Sequence, residues 1–179
     1  AKYRTMHGDR GLSVRFRSMI TGHTEFGVGV IPSWMTTVEE TILNVGNPLA
    51  NGGHKALVRL PTGHLVEFIW GGSSYSTSDC CFHDTLTKNG SGRYLLTALD
   101  GSTKLFDANG MPDVFTDANG NADDYTYNSS LQCTGWTSSC GLSTTIGHDA
   151  NNWVSSMTID GIWTYTFSVD STGRLVAIT

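Results

Sequence analysis

The chain has 179 residues, 39% hydrophobic and 15% charged, with 21 Gly, 4 Pro and a formal charge of −5. The length suits one domain with enough chain to bury a core. An acidic balance without any basic run argues against a nucleic-acid partner, and the longest apolar runs fall far short of the ~18 residues a helical membrane span needs.

In chain order, residues 1–10 read as an exposed lead-in carrying Lys2, Arg4, His7, Asp9 and Arg10. The absence of Met before Ala1 suggests a mature or excised segment. Residues 12–20 alternate Leu12, Val14 and Phe16 against Arg15 and Arg17, the two-residue period of a strand. A glycine-broken stretch fills 24–34. Residues 34–45 are favoured as a long strand, because Thr and Val outweigh the helix formers Glu39 and Glu40. Strands at 55–60 and 64–70 flank the turn Pro61-Thr62-Gly63-His64, and 71–81 reads as a polar loop or sheet edge. Strands at 93–99 and 102–106 flank Asp100-Gly101, the strongest two-residue hairpin signal in the chain.

A repeat then begins. Asp107-Ala-Asn-Gly110 recurs ten residues later as Asp117-Ala-Asn-Gly120, and Asp149-Ala-Asn-Asn152 and Asp170-Ser-Thr-Gly173 echo it. Asp accepts hydrogen bonds from its own turn and Gly takes positive φ at no steric cost. Aromatic and β-branched runs stand between these turns, at 125–127, 153–159, 162–169 and 174–179. About a dozen strands and no helix emerge. The fold class is all-β: a meander of antiparallel β-hairpins forming an open twisted sheet or partial shell. Residues 1–99 make a β-rich opening region and 100–179 the hairpin repeats, within one continuous β unit.

Cys80, Cys81, Cys133 and Cys140 are disulfide candidates if the chain is secreted. The preferred pairing links Cys80 and Cys81 each to Cys133 or Cys140. The rival is a Cys133–Cys140 clip beside a strained vicinal pair. Free thiols and a metal site are the remaining readings, but this spacing is not that of a zinc finger or ribbon, so no metal and no cofactor is expected. Asp117, Asn119, Asn121 and Asp123 place oxygens at alternate residues as calcium loops do, yet Gly falls at the fourth place and Asn128 stands where Glu is needed. Turn chemistry accounts for them better.

Catalysis has little support. His7, His23, His54, His64, His83 and His148 lack zincin spacing, Glu39 and Glu40 face opposite ways on a strand, and His83 beside the cysteines is a weak Cys–His signal. There is no G-x-S-x-G elbow or phosphate-cradling glycine loop. Trp34, Trp70, Trp136, Trp153 and Trp163 are expected in sheet-face packing, with a sugar platform as the other reading. Asn89 and Asn128 head glycosylation sequons in turns, so glycans are a candidate partner.

Residues 100–127, DGSTKLFDANGMPDVFTDANGNADDYTY, resemble the opening of the tyrosine–aspartate (YD) repeats of the Rhs and wall-associated protein family. Residues 165–179, YTFSVDSTGRLVAIT, fit that pattern better still. Residues 83–110 are similar to the segment that precedes the first repeat, and 12–42 to the first strands of that family. Met111-Pro112 departs from the usual Arg-Leu, a Gly-Arg pair is absent at Asn152-Trp153, and 128–148 carries two cysteines where a plain repeat is usual. The resemblance implies a YD-repeat-like sheet, in larger members a β-shell around a cargo that is often a toxin. The self-cleaving core that ends such shells is missing here.

The last strand, with Leu175, Val176, Ala177 and Ile178, carries no charge to guard its edge. A second copy adding its strand there, with 12–16 as complement, would grow a filament. The expected function is therefore a non-catalytic, extracellular or cell-surface structural protein that pairs strands head to tail with other copies of itself. The alternatives are an excised segment of a toxin-encapsulating shell and a carbohydrate-binding β module.

Overall fold

The computed structural model describes residues 35–179 in full. Before them it describes the backbone of short strands alone: β1 (Tyr3–Thr5), β2 (Gly8–Arg10), β3 (Val14–Phe16), β4 (His23–Thr24), β5 (Gly27–Val28) and β6 (Val30–Pro32). These pair antiparallel as β1 with β2, β3 with β6 and β4 with β5. The side chains of His7, His23, Trp34 and the expected 12–16 complement lie outside the described residues.

From Thr37 onward fourteen strands follow with no helix, all antiparallel, in two sheets of which neither closes into a barrel. The all-β meander of hairpins is thus the observed fold. The chain divides into two compact units, Met35–Ala122 and one that includes Asp123–Thr179.

In the first unit, β7 (Thr37–Ile42), β8 (His54–Arg59), β9 (Leu65–Trp70) and β10 (Tyr75–Thr77) form one sheet in the order β10-β9-β8-β7. The polar stretch 71–81 therefore contributes an edge strand, β10. β11 (Thr85–Lys88), β12 (Tyr94–Thr97), β13 (Thr103–Phe106) and β14 (Pro112–Thr116) run as consecutive hairpins. Val38, Ala56, Val58, Val66 and Phe68 from the first group meet Leu86, Tyr94, Leu96 and Phe106 from the second in one buried cluster. The alternation decides which residues enter: along β8, His54, Ala56 and Val58 are buried and the residues between them are not, as a two-residue period requires. Phe68 and Phe106 are fully buried, each worth about 2–3 kcal/mol of apolar burial. Pro112 opens β14 at a register shift, opposite Phe106. The missing donor thus falls at the first residue of the strand, where a sheet tolerates it.

In the second unit, β15 (Ala122–Tyr127), β16 (Cys133–Ser138), β17 (Ser143–His148), β18 (Val154–Ile159), β19 (Trp163–Val169) and β20 (Leu175–Ile178) follow one another as neighbours. Its core is Cys133, Trp136, Ile146, Val154, Met157, Ile159 and Phe167, with Tyr125, Tyr127, Tyr165 and Leu175 packed against it.

Candidate functional site

One turn recurs through both units. In the Asp107 turn, Asp107 N donates to Met111 O and Gly110 N to Asp107 O, at 2.8 and 3.1 Å. The Asp107 Oδ1 accepts from Asn109 N and Met111 N, both at 2.8 Å. This is a three-residue hairpin loop whose last residue is left-handed. Asp117, Asp149 and Asp170 repeat both the backbone pattern and the double acceptance by Oδ1. The left-handed residue is Gly110, Gly120, Asn152 and Gly173 in turn.

Two further turns have the same geometry under different spelling. Asn89 Oδ1 accepts from Ser91 N and Arg93 N, with Gly92 left-handed, and Asn128 Oδ1 accepts from Ser130 N and Gln132 N, with Leu131 left-handed. Both sequon asparagines are therefore turn caps, and Asn128 Nδ2 also donates to Gln132 at 2.9 Å. Asp100-Gly101 sits in the same three-residue class, between Ala98 and Ser102. The loop between the paired Ile159 and Trp163 also has three residues but another conformation, with positive φ at Asp160 and Gly161, 52° and 66°. The Asp117 Oδ2 also accepts from Asn121 Nδ2, at 2.9 Å.

The expected assembly edge, Leu175 to Ile178, forms β20, paired with β19 through Phe167↔Ile178 and Ser168↔Ala177. Thr166 and Thr179 exchange both backbone hydrogen bonds, at 2.8 and 3.0 Å. Antiparallel alternation then turns the N–H and C=O of Ile178 away from β19. Among the described residues β20 has β19 as its one neighbour. Apolar cover fades toward this edge. Met157 is fully buried and Phe167 is 7% exposed, but Ile178 is 45%, Val176 61% and Trp163 66% exposed. Leu175 still packs on the core.

A polar cluster that the spacing of the sequence did not reveal lies in the first unit around His54, which is 4% exposed. Its Nδ1 donates to Pro48 O at 2.6 Å, and its Nε2 is hydrogen-bonded to the Tyr75 hydroxyl, also at 2.6 Å. The Tyr75 and Tyr94 hydroxyls share a further hydrogen bond at 3.1 Å. Trp70 stacks on His54 and donates Nε1–H to Leu49 O. Glu40 lies 3.7 Å from His54 Nε2 and pairs with Lys88 at 2.7 Å. Burial raises both phenol pKa values above the ordinary range. Tyr94 and Glu40 reach a cleft of about 420 Å³ that the Asp107–Met111 turn helps to line. The chain of hydrogen bonds ends on a backbone carbonyl, an arrangement that fixes side chains in place. His54 sits where a loop becomes a strand and has no partner at helical spacing, so nothing in the sequence marked it.

The cysteines correct the disulfide expectation. Each of the four is a thiol, and no disulfide joins them. Cys133 is buried among its own unit's core residues, its Sγ 3.6 Å from Gly135 O, and Cys140 is exposed with Sγ 3.3 Å from Ser138 Oγ. Cys80 and Cys81 belong to the other unit, their sulfurs 3.8 Å apart, well beyond a bond of about 2.05 Å. The tryptophans do not share one role: Trp136 is core, Trp70 is engaged by His54, and Trp163 is exposed. No helix among the described residues is long and apolar enough to cross a membrane. Comparison with protein-family models and with curated proteins finds no match for the chain.

Proposed function

We propose that this chain is a non-catalytic structural β unit, related to the Rhs/YD-repeat proteins, that builds an extracellular fibre or shell by pairing strands with other copies of itself. One observation carries the reading: β20 offers outward backbone groups at Ile178 beside a face that stays apolar while its cover runs out. An uncharged edge of this kind templates strand addition. The recurring turn supports it further, because nine loops share one backbone geometry, the requirement of a sheet extended by repetition.

The test is the native mass of the purified chain across a range of concentrations, by sedimentation velocity and negative-stain microscopy. Oligomers or filaments that grow with concentration are expected. Ile178→Pro removes the outward donor while leaving the β19 ladder intact, and it is expected to return the chain to single copies. A chain that stays monomeric throughout, or a proline variant that assembles unchanged, overturns the reading.

A further inference from the structure

The loop after β10 gathers thiol, carboxylate and imidazole groups that the hairpin architecture does not use. One ligand atom each from Asp79, Cys80 and Cys81 lies within 4.8 Å of the others. His64, carried on the Leu60–His64 turn, brings Nε2 to 2.8 Å from Asp79 Oδ2. We propose that Cys80, Cys81 and Asp79 form a binding site for a thiophilic divalent cation of the zinc class, with His64 holding the Asp79 carboxylate from behind.

Sulfur geometry is the first argument. Two thiolates on a tetrahedral ion with bonds of about 2.3 Å stand about 3.8 Å apart. The Cys80 and Cys81 sulfurs are 3.8 Å apart. A disulfide between them is strained from the outset, because a trans peptide holds adjacent Cα atoms about 3.8 Å apart and disulfides prefer about 4.4 Å or more. No peptide in the described chain is cis. Chelation thus fits this pair better than oxidation does.

The second argument is that the loop is already ordered around the donors. Asp79 N donates to Thr77 Oγ1, Cys81 N to Asp79 Oδ1 and Phe82 N to Asp79 O, at 3.1, 3.0 and 3.1 Å. Phe82 anchors the turn edge-on against the buried Phe68 ring, with centroids 5.8 Å apart. Asp79 Oδ1 therefore serves the turn, and Oδ2 is the oxygen that faces His64. Both thiols are exposed, which leaves the ion a path in. On binding, each thiol releases its proton to solvent and the sulfur lone pair goes to the metal.

This set was missed in the sequence because two of its parts are not neighbours in the chain. The adjacent cysteines suggested a pairing with Cys133 and Cys140, whereas the partners are Asp79, one residue before, and a histidine from the preceding hairpin.

The test is a titration of the full chain, reduced and stripped of metal, with Co2+ and then Zn2+. One equivalent of Co2+ is expected to give thiolate-to-metal charge-transfer absorption with tetrahedral visible bands, both bleached by Zn2+. Cys80→Ser and Cys81→Ser are expected to lose the charge-transfer band or most of it. His64→Ala is expected to weaken binding about 10-fold or more, and Cys133→Ser and Cys140→Ser to leave it unchanged. These residues other than Cys133 lie outside the buried cores, so circular dichroism should be the same for their variants. An absence of thiolate bands overturns the proposal, as does a band that survives both Cys80→Ser and Cys81→Ser, or a Cys80–Cys81 disulfide found by peptide mapping of protein isolated without reductant.

Discussion

Residues 107–110 and 117–120 spell the same four amino acids and fold into the same loop, yet the two loops do different work. Gly120 has open space around its α-carbon. Gly110 is buried against β7: Val38 N donates to its carbonyl at 2.9 Å, and a Cβ built on it would stand 1.8 Å from Val38 O. β7 is an edge strand of its sheet, so one copy of the repeat closes an edge while the next only reverses the chain. The repeat encodes a turn; what the turn touches is decided by the strands around it.

Replacing each glycine by alanine separates the two roles. Both are left-handed, at 76° and 85°, so both variants carry the left-handed penalty of about 1–2 kcal/mol. Gly110→Ala must in addition push the loop off the β7 backbone. The expected loss is about 3–5 kcal/mol, a large share of a typical domain's stability, against about 1–2 kcal/mol for Gly120→Ala. Denaturant unfolding of the two variants side by side checks this, and equal losses would mean that the β7 contact contributes nothing.

The same contrast marks what the sequence discloses. Strand periodicity was legible because the faces of β8, β9 and β12 alternate, and the Asp and Gly turns were legible because their chemistry is local. Asn89 and Asn128 were read as sequons, although an asparagine Oδ1 caps the loop as well as aspartate does. Leu131 in a left-handed position carries no compositional signal. The close approach of Gly110 to Val38, the His54–Tyr75–Tyr94 chain and the His64–Asp79 bond each join residues far apart in sequence. No spacing rule reaches them, because they depend on which loops the sheet brings side by side.

Leu131 sharpens the comparison from the opposite direction. It holds φ 60° where three of the Asp-headed loops have glycine, and the residue is 43% exposed. Leu131→Gly removes the left-handed strain and restores only the extra chain entropy of glycine, about 0.5–1 kcal/mol. A net gain of about 0.5 kcal/mol is expected, visible as a higher denaturation midpoint with unchanged slope. Asn152→Gly should gain less, because asparagine tolerates this region better than leucine.

Aspartate and asparagine heads differ in one respect, and pH exposes it. The Thr172 hydroxyl, then the Arg174 amide, holds the Asp170 carboxyl below the ordinary carboxylate range. A group whose folded pKa is depressed contributes stability that is present above its unfolded value, about 3.9, and lost as pH falls through the folded one. Asp170 is fully exposed, so solvent screens the effect and it is the smallest of the set. An asparagine side chain at the head of this loop would cap it as Asn89 and Asn128 cap theirs, with nothing to protonate. Asp170→Asn is therefore expected to match the parent in melting temperature at neutral pH and to fall less steeply below about pH 4. Parallel melting curves across that acid range would show that the Asp170 loop takes nothing from its charge.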